Sequence, residues 1–353
     1  MSIYCFLKII TLSDLAESVS LSRSELLELI QRDEQELYRS FKLKKKRGGY
    51  RLLQAPEPAL KNAQRRINRY LEAELTEDIH NKAHGFVKKR SIVSNAQNHV
   101  GKAWVLNFDL EDFFGSFTRS AVLNLFLQPP FSFDQPVAEQ LTNLCTTKQG
   151  LPQGAPSSPI LSNLLSNRLD QQLSDFARQH HLSYTRYADD ISFSSNHSIP
   201  AGLLSKDPET SAWKLGATIT NMVKDCGFGI NHRKTRLQTR HQRQEVTGLI
   251  VNEQLNVDRR YVRNLRAMIH AYKVYGFLAA FKFVNHYASK ETEHKSPLAS
   301  FLATIQGRIS FVAMVKGNDH QVVIKLRQDF EQAKAERLKF TLLINDVHDQ
   351  SAN

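Results

Sequence analysis

Tyr187-Ala188-Asp189-Asp190 constrains this chain more than any other stretch. Its flanks, Leu182-Ser183-Tyr184-Thr185-Arg186 and Ile191-Ser192-Phe193, alternate between apolar and polar residues. That is the period of a strand with one buried face, so the tetrapeptide predicts a hairpin with a tight turn. Adjacent carboxylates at such a turn repel each other, a cost that a bound cation removes. Hard oxygen donors suit a divalent metal. Aspartate is also an ordinary turn residue. Alone, the tetrapeptide leaves a metal site and a plain polar turn equally open.

A second acidic cluster lies upstream, in Trp104-Val105-Leu106-Asn107-Phe108-Asp109-Leu110-Glu111-Asp112-Phe113-Phe114. The residues before Asp109 read as a buried strand that ends at Asp109. If that strand neighbours the hairpin, Asp109, Asp189 and Asp190 converge. Three carboxylates can hold two Mg²⁺ ions roughly 3.5–4 Å apart, the geometry of in-line displacement at phosphorus. Glu111 and Asp112 read as solvated or capping residues rather than ligands. A third segment, Gln149-Gly150-Leu151-Pro152-Gln153-Gly154-Ala155-Pro156-Ser157-Ser158-Pro159, is forced into a loop by Gly and Pro. A helix opens after it, with Ser157 or Ser158 placed as its cap.

The order of acidic strand end, LPQGAPSSP loop, YADD turn and Gly227-Phe228-Gly229-Ile230-Asn231-His232-Arg233-Lys234-Thr235 resembles reverse transcriptases, over roughly residues 40–250. Asn95-Ala96-Gln97-Asn98-His99 is similar to the NAxxH signature of the retron group. Val246-Thr247-Gly248 is similar to its VTG triplet. The resemblance implies an α+β right hand with fingers, a ferredoxin-like palm and a helical thumb. The expected division is an N-terminal helical extension at 1–40, fingers at 41–105, palm at 106–252, thumb at 253–343 and a polar tail at 344–353.

Composition agrees with a nucleic-acid partner. The formal net charge is +12, with hydrophobic residues at 41%, enough for a globular core. The three cysteines, Cys5, Cys145 and Cys226, are widely spaced and odd in number. They predict reduced thiols in a cytoplasm, with no zinc site or disulfide framework. Met1–Ile10 lacks the features of a leader peptide. No run reaches the roughly 20 apolar residues of a membrane span, so no membrane partner is expected.

Along the chain, residues 11–39 predict two short helices, the second opened by a Ser22–Glu25 capping box. They read as an extension rather than a DNA-reading helix pair, because no basic recognition helix follows. Phe41–Gln54 predicts a basic hairpin turning at Gly48-Gly49. Lys61–Leu75 predicts an amphipathic helix whose Lys61, Arg65, Arg66 and Arg69 either meet phosphates or face water. Asp258–Phe340 is helical and basic in pattern.

Roles follow from the resemblance. Asp109, Asp189 and Asp190 hold two Mg²⁺ ions and are the catalytic set. Arg51, then Lys46, meet the triphosphate from the fingers. Gln153 contacts the incoming nucleotide, and Lys234 a phosphate or the primer. Phe114 is the steric gate against a ribose 2′-OH, unless it only packs in the core, a part Phe113 can also take. Tyr187 lies near the primer end. Asn95, His99, Val246, Thr247 and Gly248 hold the RNA. The implied activity is RNA-directed DNA synthesis from dNTPs on a structured noncoding RNA that serves as template and primer. A guanosine 2′-hydroxyl starts the chain, giving branched msDNA. A separate effector protein, host RNase H and a part in antiphage defence are further implied. Three other readings stand beside it: a group II intron-like or diversity-generating reverse transcriptase, a noncatalytic RNA-binding scaffold, and an RNA-dependent RNA polymerase.

Overall fold

A computed structural model describes residues 9–44, 48–206, 213–287 and 296–351. The chain divides into two compact units, Met1–Thr247 and Gly248–Asn353. The break falls inside the VTG triplet, ahead of the 252/253 boundary expected from sequence.

The first unit opens with helices α1 (Leu12–Ser18), α2 (Arg23–Gln31) and α3 (Glu34–Leu37). Capping boxes at Thr11/Asp14 and Ser22/Glu25 start the first two, satisfying backbone donors that a helix end leaves orphaned. Strands β1 (Tyr38–Lys44) and β2 (Tyr50–Pro56) pair antiparallel as the expected basic hairpin. Helix α4 (Pro58–Leu75) follows, burying Leu60, Ile67, Leu71 and Leu75 at helical spacing. Helix α5 (Ile92–Gln97) carries the NAxxH start and is capped by the Ser91 hydroxyl.

The centre of this unit is a four-stranded sheet. Strand β3 (Trp104–Glu111) is followed by helices α6 (Arg119–Leu127), α7 (Gln135–Cys145), α8 (Ser158–Leu165) and α9 (Asn167–Gln179). The hairpin of β4 (Ser183–Tyr187) and β5 (Asp190–Ser195) comes next, then the short pair β6 (Leu204–Lys206) and β7 (Trp213–Leu215). Helix α10 (Ala217–Asp225) and strand β8 (Gly229–Thr239) close it. The sheet order is β4-β5-β3-β8, with every neighbouring pair antiparallel. Strand, helices, two strands, helix, strand in that order is the ferredoxin-like plan, and the fold is α+β.

Leu106 and Phe108 on β3 face Phe193 and Ile191 on β5 across one side of the sheet, all fully buried. Asn107, Asp109, Asp190, Ser192 and Ser194 occupy the other side. Strand β3 continues through Glu111, two residues beyond the expected end at Asp109. Ser157 holds the N-cap position of α8 without a side-chain cap bond, and Ser158 Oγ instead donates to Pro152 O at 2.8 Å. Neither serine caps as expected, because the loop needs Ser158 to close on itself.

A short strand β9 (Glu245–Val246) ends the first unit. In the second unit, β10 (Leu249–Ile250) precedes helices α11 (Arg259–Tyr275), α12 (Phe277–Tyr287), α13 (Pro297–Lys316) and α14 (Gln321–Ser351). Helix α14 runs through most of the segment expected as a tail. Helix α13 departs from the sequence reading of apolar runs: an 18-residue stretch of its 20 residues reaches a mean hydropathy of 1.5, long and apolar enough to cross a membrane. It buries Phe301, Ile305, Ile309 and Val312 in a helical stripe and packs against α11, α12 and α14.

Candidate active site

Asp109 and Asp190 are direct partners across β3 and β5, so their side chains leave the same face of the sheet. Asp189 sits in the two-residue turn between β4 and β5, and Leu110 N–H donates to its carbonyl at 2.9 Å. The structure thus brings together the three aspartates singled out from sequence. Ala188, ahead of Asp189, adopts φ 55°, the left-handed region. Gly85 explains how that turn fits. A Cβ at residue 85 would lie 2.5 Å from Ala188 N, so only a glycine lets this backbone pass behind the turn.

Lys234 reaches the trio through an irregular ladder. Asn107 pairs with Arg236 and Asp109 with Asn231, so a short step on β3 spans a longer one on β8. The surplus His232–Thr235 bulges from the sheet. From it the Lys234 ammonium makes an ion pair with Asp109 Oδ2.

The carboxylates bear the strain expected of crowded like charges. Burial pushes Asp190 up to about 7, with the charges of Asp109 and Asp189 adding to it. Asp189 is raised too, first by burial and then by Asp109, against the opposing charges of Lys234 and Arg51. Partial burial alone would lower Lys234. The hydrogen bond and charge of Asp109, with Asp189 and Asp190 behind it, outweigh that and raise it. Among the described residues no three His, Cys, Asp or Glu side chains form a preassembled metal cluster. The fit to a cation therefore rests on charge and donor chemistry: three hard oxygen ligands, one lysine, and an acid whose pKa burial and then its acidic neighbours raise to about 7.

A cleft of about 660 Å³ opens beside the trio. Arg51, Phe114, Gln153, Asp189 and Lys234 all line it. Lys46 lies outside the described residues. Phe113 takes the packed position, 4% exposed and edge-on to Phe117, while Phe114 stands half-buried at the cleft wall, 6.1 Å from Phe86 between ring centroids. The LPQG loop is fastened to the hairpin: Gln54 N–H donates to Gln153 O at 2.8 Å. A Cβ on Gly154 would stand 2.9 Å from Gln54 O. Glu111 is exposed, and Asp112, with φ 41°, also lines the cleft.

The residues expected to hold RNA are placed differently. His99 is fully buried, with Nδ1 2.7 Å from Ser194 Oγ and Nε2 2.7 Å from Thr185 Oγ1. Burial lowers its pKa to about 3, so the ring is neutral. Asn95 is buried and its Nδ2 donates to Thr247 Oγ1 at 3.5 Å; Val246 is buried as well. In this conformation Asn95, His99 and Val246 are buried within the protein. They fasten α5 to the polar side of the sheet and to Thr247. Thr247 and Gly248 adopt φ 47° and 82°.

The sequence reading missed Gly85, and also Arg186 and Asp170, a fully buried ion pair behind the turn. A lone glycine reads as an ordinary loop residue, so the demand at Gly85 shows only once Ala188 N is placed against it. Asp170 carries no signal, since one acid on an amphipathic helix reads as solvated.

The family model described as reverse transcriptase (RNA-dependent DNA polymerase) matches residues 43–253. Retron Mx65 reverse transcriptase of Myxococcus xanthus is 37% identical over 251 residues, covering 66% of this chain and 55% of that protein. Retron Mx162 reverse transcriptase of the same organism is 34% identical over 256 residues, covering 66% and 52%. The chain thus spans about half the length of these curated relatives. Among solved structures, telomerase from Candida albicans with a TWJ fragment of telomeric RNA aligns at 10% identity and a TM-score of 0.44, over 84% of this chain and 63% of that one.

Proposed function

The chain belongs to the reverse transcriptase (RNA-dependent DNA polymerase) family and is of retron type, and on that premise we propose that it copies a structured noncoding RNA into DNA. One observation carries the reading: Asp109 and Asp190 are cross-strand partners, with Asp189 beside them, at the edge of a cleft lined by Arg51, Phe114, Gln153 and Lys234.

In this reading a primer hydroxyl attacks the α-phosphorus of a dNTP, the new P–O bond forms, and pyrophosphate leaves in line. Catalysis is mainly positioning and charge neutralisation. Asp109, Asp189 and Asp190 would hold two Mg²⁺ ions, which would supply the neutralising charge and lower the pKa of the hydroxyl. Arg51 and Lys234 present cations to the triphosphate. Gln153 steadies the base pair, and Phe114 closes the space a ribose 2′-OH would need. The finer proposal is priming from a guanosine 2′-hydroxyl of the template RNA, giving branched msDNA. Host RNase H trims the template, a separate effector protein completes an antiphage device, and the setting is cytoplasmic. The NAxxH and VTG sequences support that retron-specific part.

The test is the nucleic acid that copurifies with the protein, treated with RNase A and run on a denaturing gel beside Asp189→Asn. A discrete single-stranded DNA that shifts on debranching and is missing from the variant is expected. RNA with no DNA in the wild type would reject the reading.

A further inference from the structure

Arg186 and Asp170 have fully buried side chains. Arg186 Nε and Nη2 donate to Asp170 Oδ1 and Oδ2 at 2.7 and 2.6 Å, and the Tyr184 hydroxyl donates to Oδ1 at 2.6 Å. The guanidinium has one more reach: Nη1 donates to Ala188 O at 3.1 Å. Ala188 is the left-handed residue of the aspartate turn, and its carbonyl belongs to the peptide that continues into Asp189.

The register sets the direction of that contact. Arg186 pairs with Ile191, whereas Tyr187 pairs with Asp190. Arg186 therefore projects from the face opposite the Asp109–Asp190 pair, towards α9, and meets the turn from behind. Asp170 neutralises it, so the cations acting on Asp189 are Lys234 and Arg51. A buried ion pair is a poor source of stability, since well-packed apolar side chains do as well or better. What an apolar core does not offer is a forked donor that reads a carbonyl two residues along the chain.

We propose that Arg186, oriented by Asp170, is a positioning residue for Asp189: by fixing the Ala188 carbonyl it holds the turn that presents the Asp189 carboxylate to a divalent ion. The inference rests on the metal-dependent reading above and deepens it.

Two variants of the full chain test it beside the wild type. Arg186→Lys keeps a charge opposite Asp170, but one ammonium does not fork to both Asp170 and Ala188. The combined Asp170→Leu, Tyr184→Phe, Arg186→Met variant removes the whole network and leaves no buried charge without its partner. Thermal midpoint, Mn²⁺ binding by electron paramagnetic resonance, and primer-extension kcat and KM for dNTP are measured for each. The expected result is a retained midpoint in the combined variant, Mn²⁺ affinity lower by about tenfold, and kcat lower by about 10- to 100-fold with KM little changed. Should Arg186→Lys fail to fold, the combined variant decides. A folded combined variant that binds Mn²⁺ as tightly as the wild type overturns the inference. Mn²⁺ binding is read without turnover. A wild type that binds Mn²⁺ but makes no DNA therefore rejects the polymerase reading, while the loss or retention of Mn²⁺ affinity in the variants still decides the role of Arg186.

Discussion

Asp190 is a carboxyl whose pKa is raised to about 7, first by burial and then by the charges of Asp109 and Asp189. An acid whose folded pKa exceeds its unfolded value of about 3.9 binds more protons when folded. The stability it contributes is present at low pH and lost as pH rises from about 4 through about 7. A divalent cation reverses that loss. The gain in thermal midpoint on adding Mg²⁺ should therefore be larger at about pH 8 than at about pH 5; equal gains at the two would refute the account. Lys234→Gln removes the ammonium from Asp109, so the metal-free protein should melt lower and recover more with Mg²⁺ than the wild type does. Phe114→Ala should admit ribonucleotides, read as a higher ratio of NTP to dNTP incorporation. Unchanged sugar selectivity would leave Phe114 as a packing residue.

The turn between β4 and β5 depends on elements far from it in sequence. Gly85→Ala forces a Cβ against Ala188 N and should cost about 1–3 kcal/mol, visible as a lower denaturation midpoint. Asp170→Ala alone strands the Arg186 charge and should cost about 3–5 kcal/mol, far more than removing the whole network. Alternation made the β4–β5 hairpin legible in sequence, and Gly and Pro made the LPQG loop legible. The three aspartates were legible only in company, because the pair at the turn reads equally as an ordinary polar turn until the second acidic strand end and the ordered motifs stand beside it. The network behind the turn was not, because burial of Asp170 is a tertiary fact that helical periodicity alone does not reveal. The Lys234 contact was half-legible: the residue stood out, but its route to Asp109 through the His232–Thr235 bulge follows from sheet register. The NAxxH residues stood out as a signature, yet their local pattern cannot distinguish an interior clasp from a surface contact, and the structure puts them inside.

The chain as a whole carries a formal net charge of +12. Its affinity for RNA should fall linearly with salt on logarithmic axes, the slope counting the phosphates neutralised; a flat dependence would argue for recognition without phosphate contacts. Set into that basic body, the acidic trio attracts small cations only at short range. By net charge the protein favours an approaching anion, so a magnesium–nucleotide complex, net negative, is steered to it more readily than a bare Mg²⁺. Net charge thus favours an ion that travels as cargo on a triphosphate over one that diffuses alone.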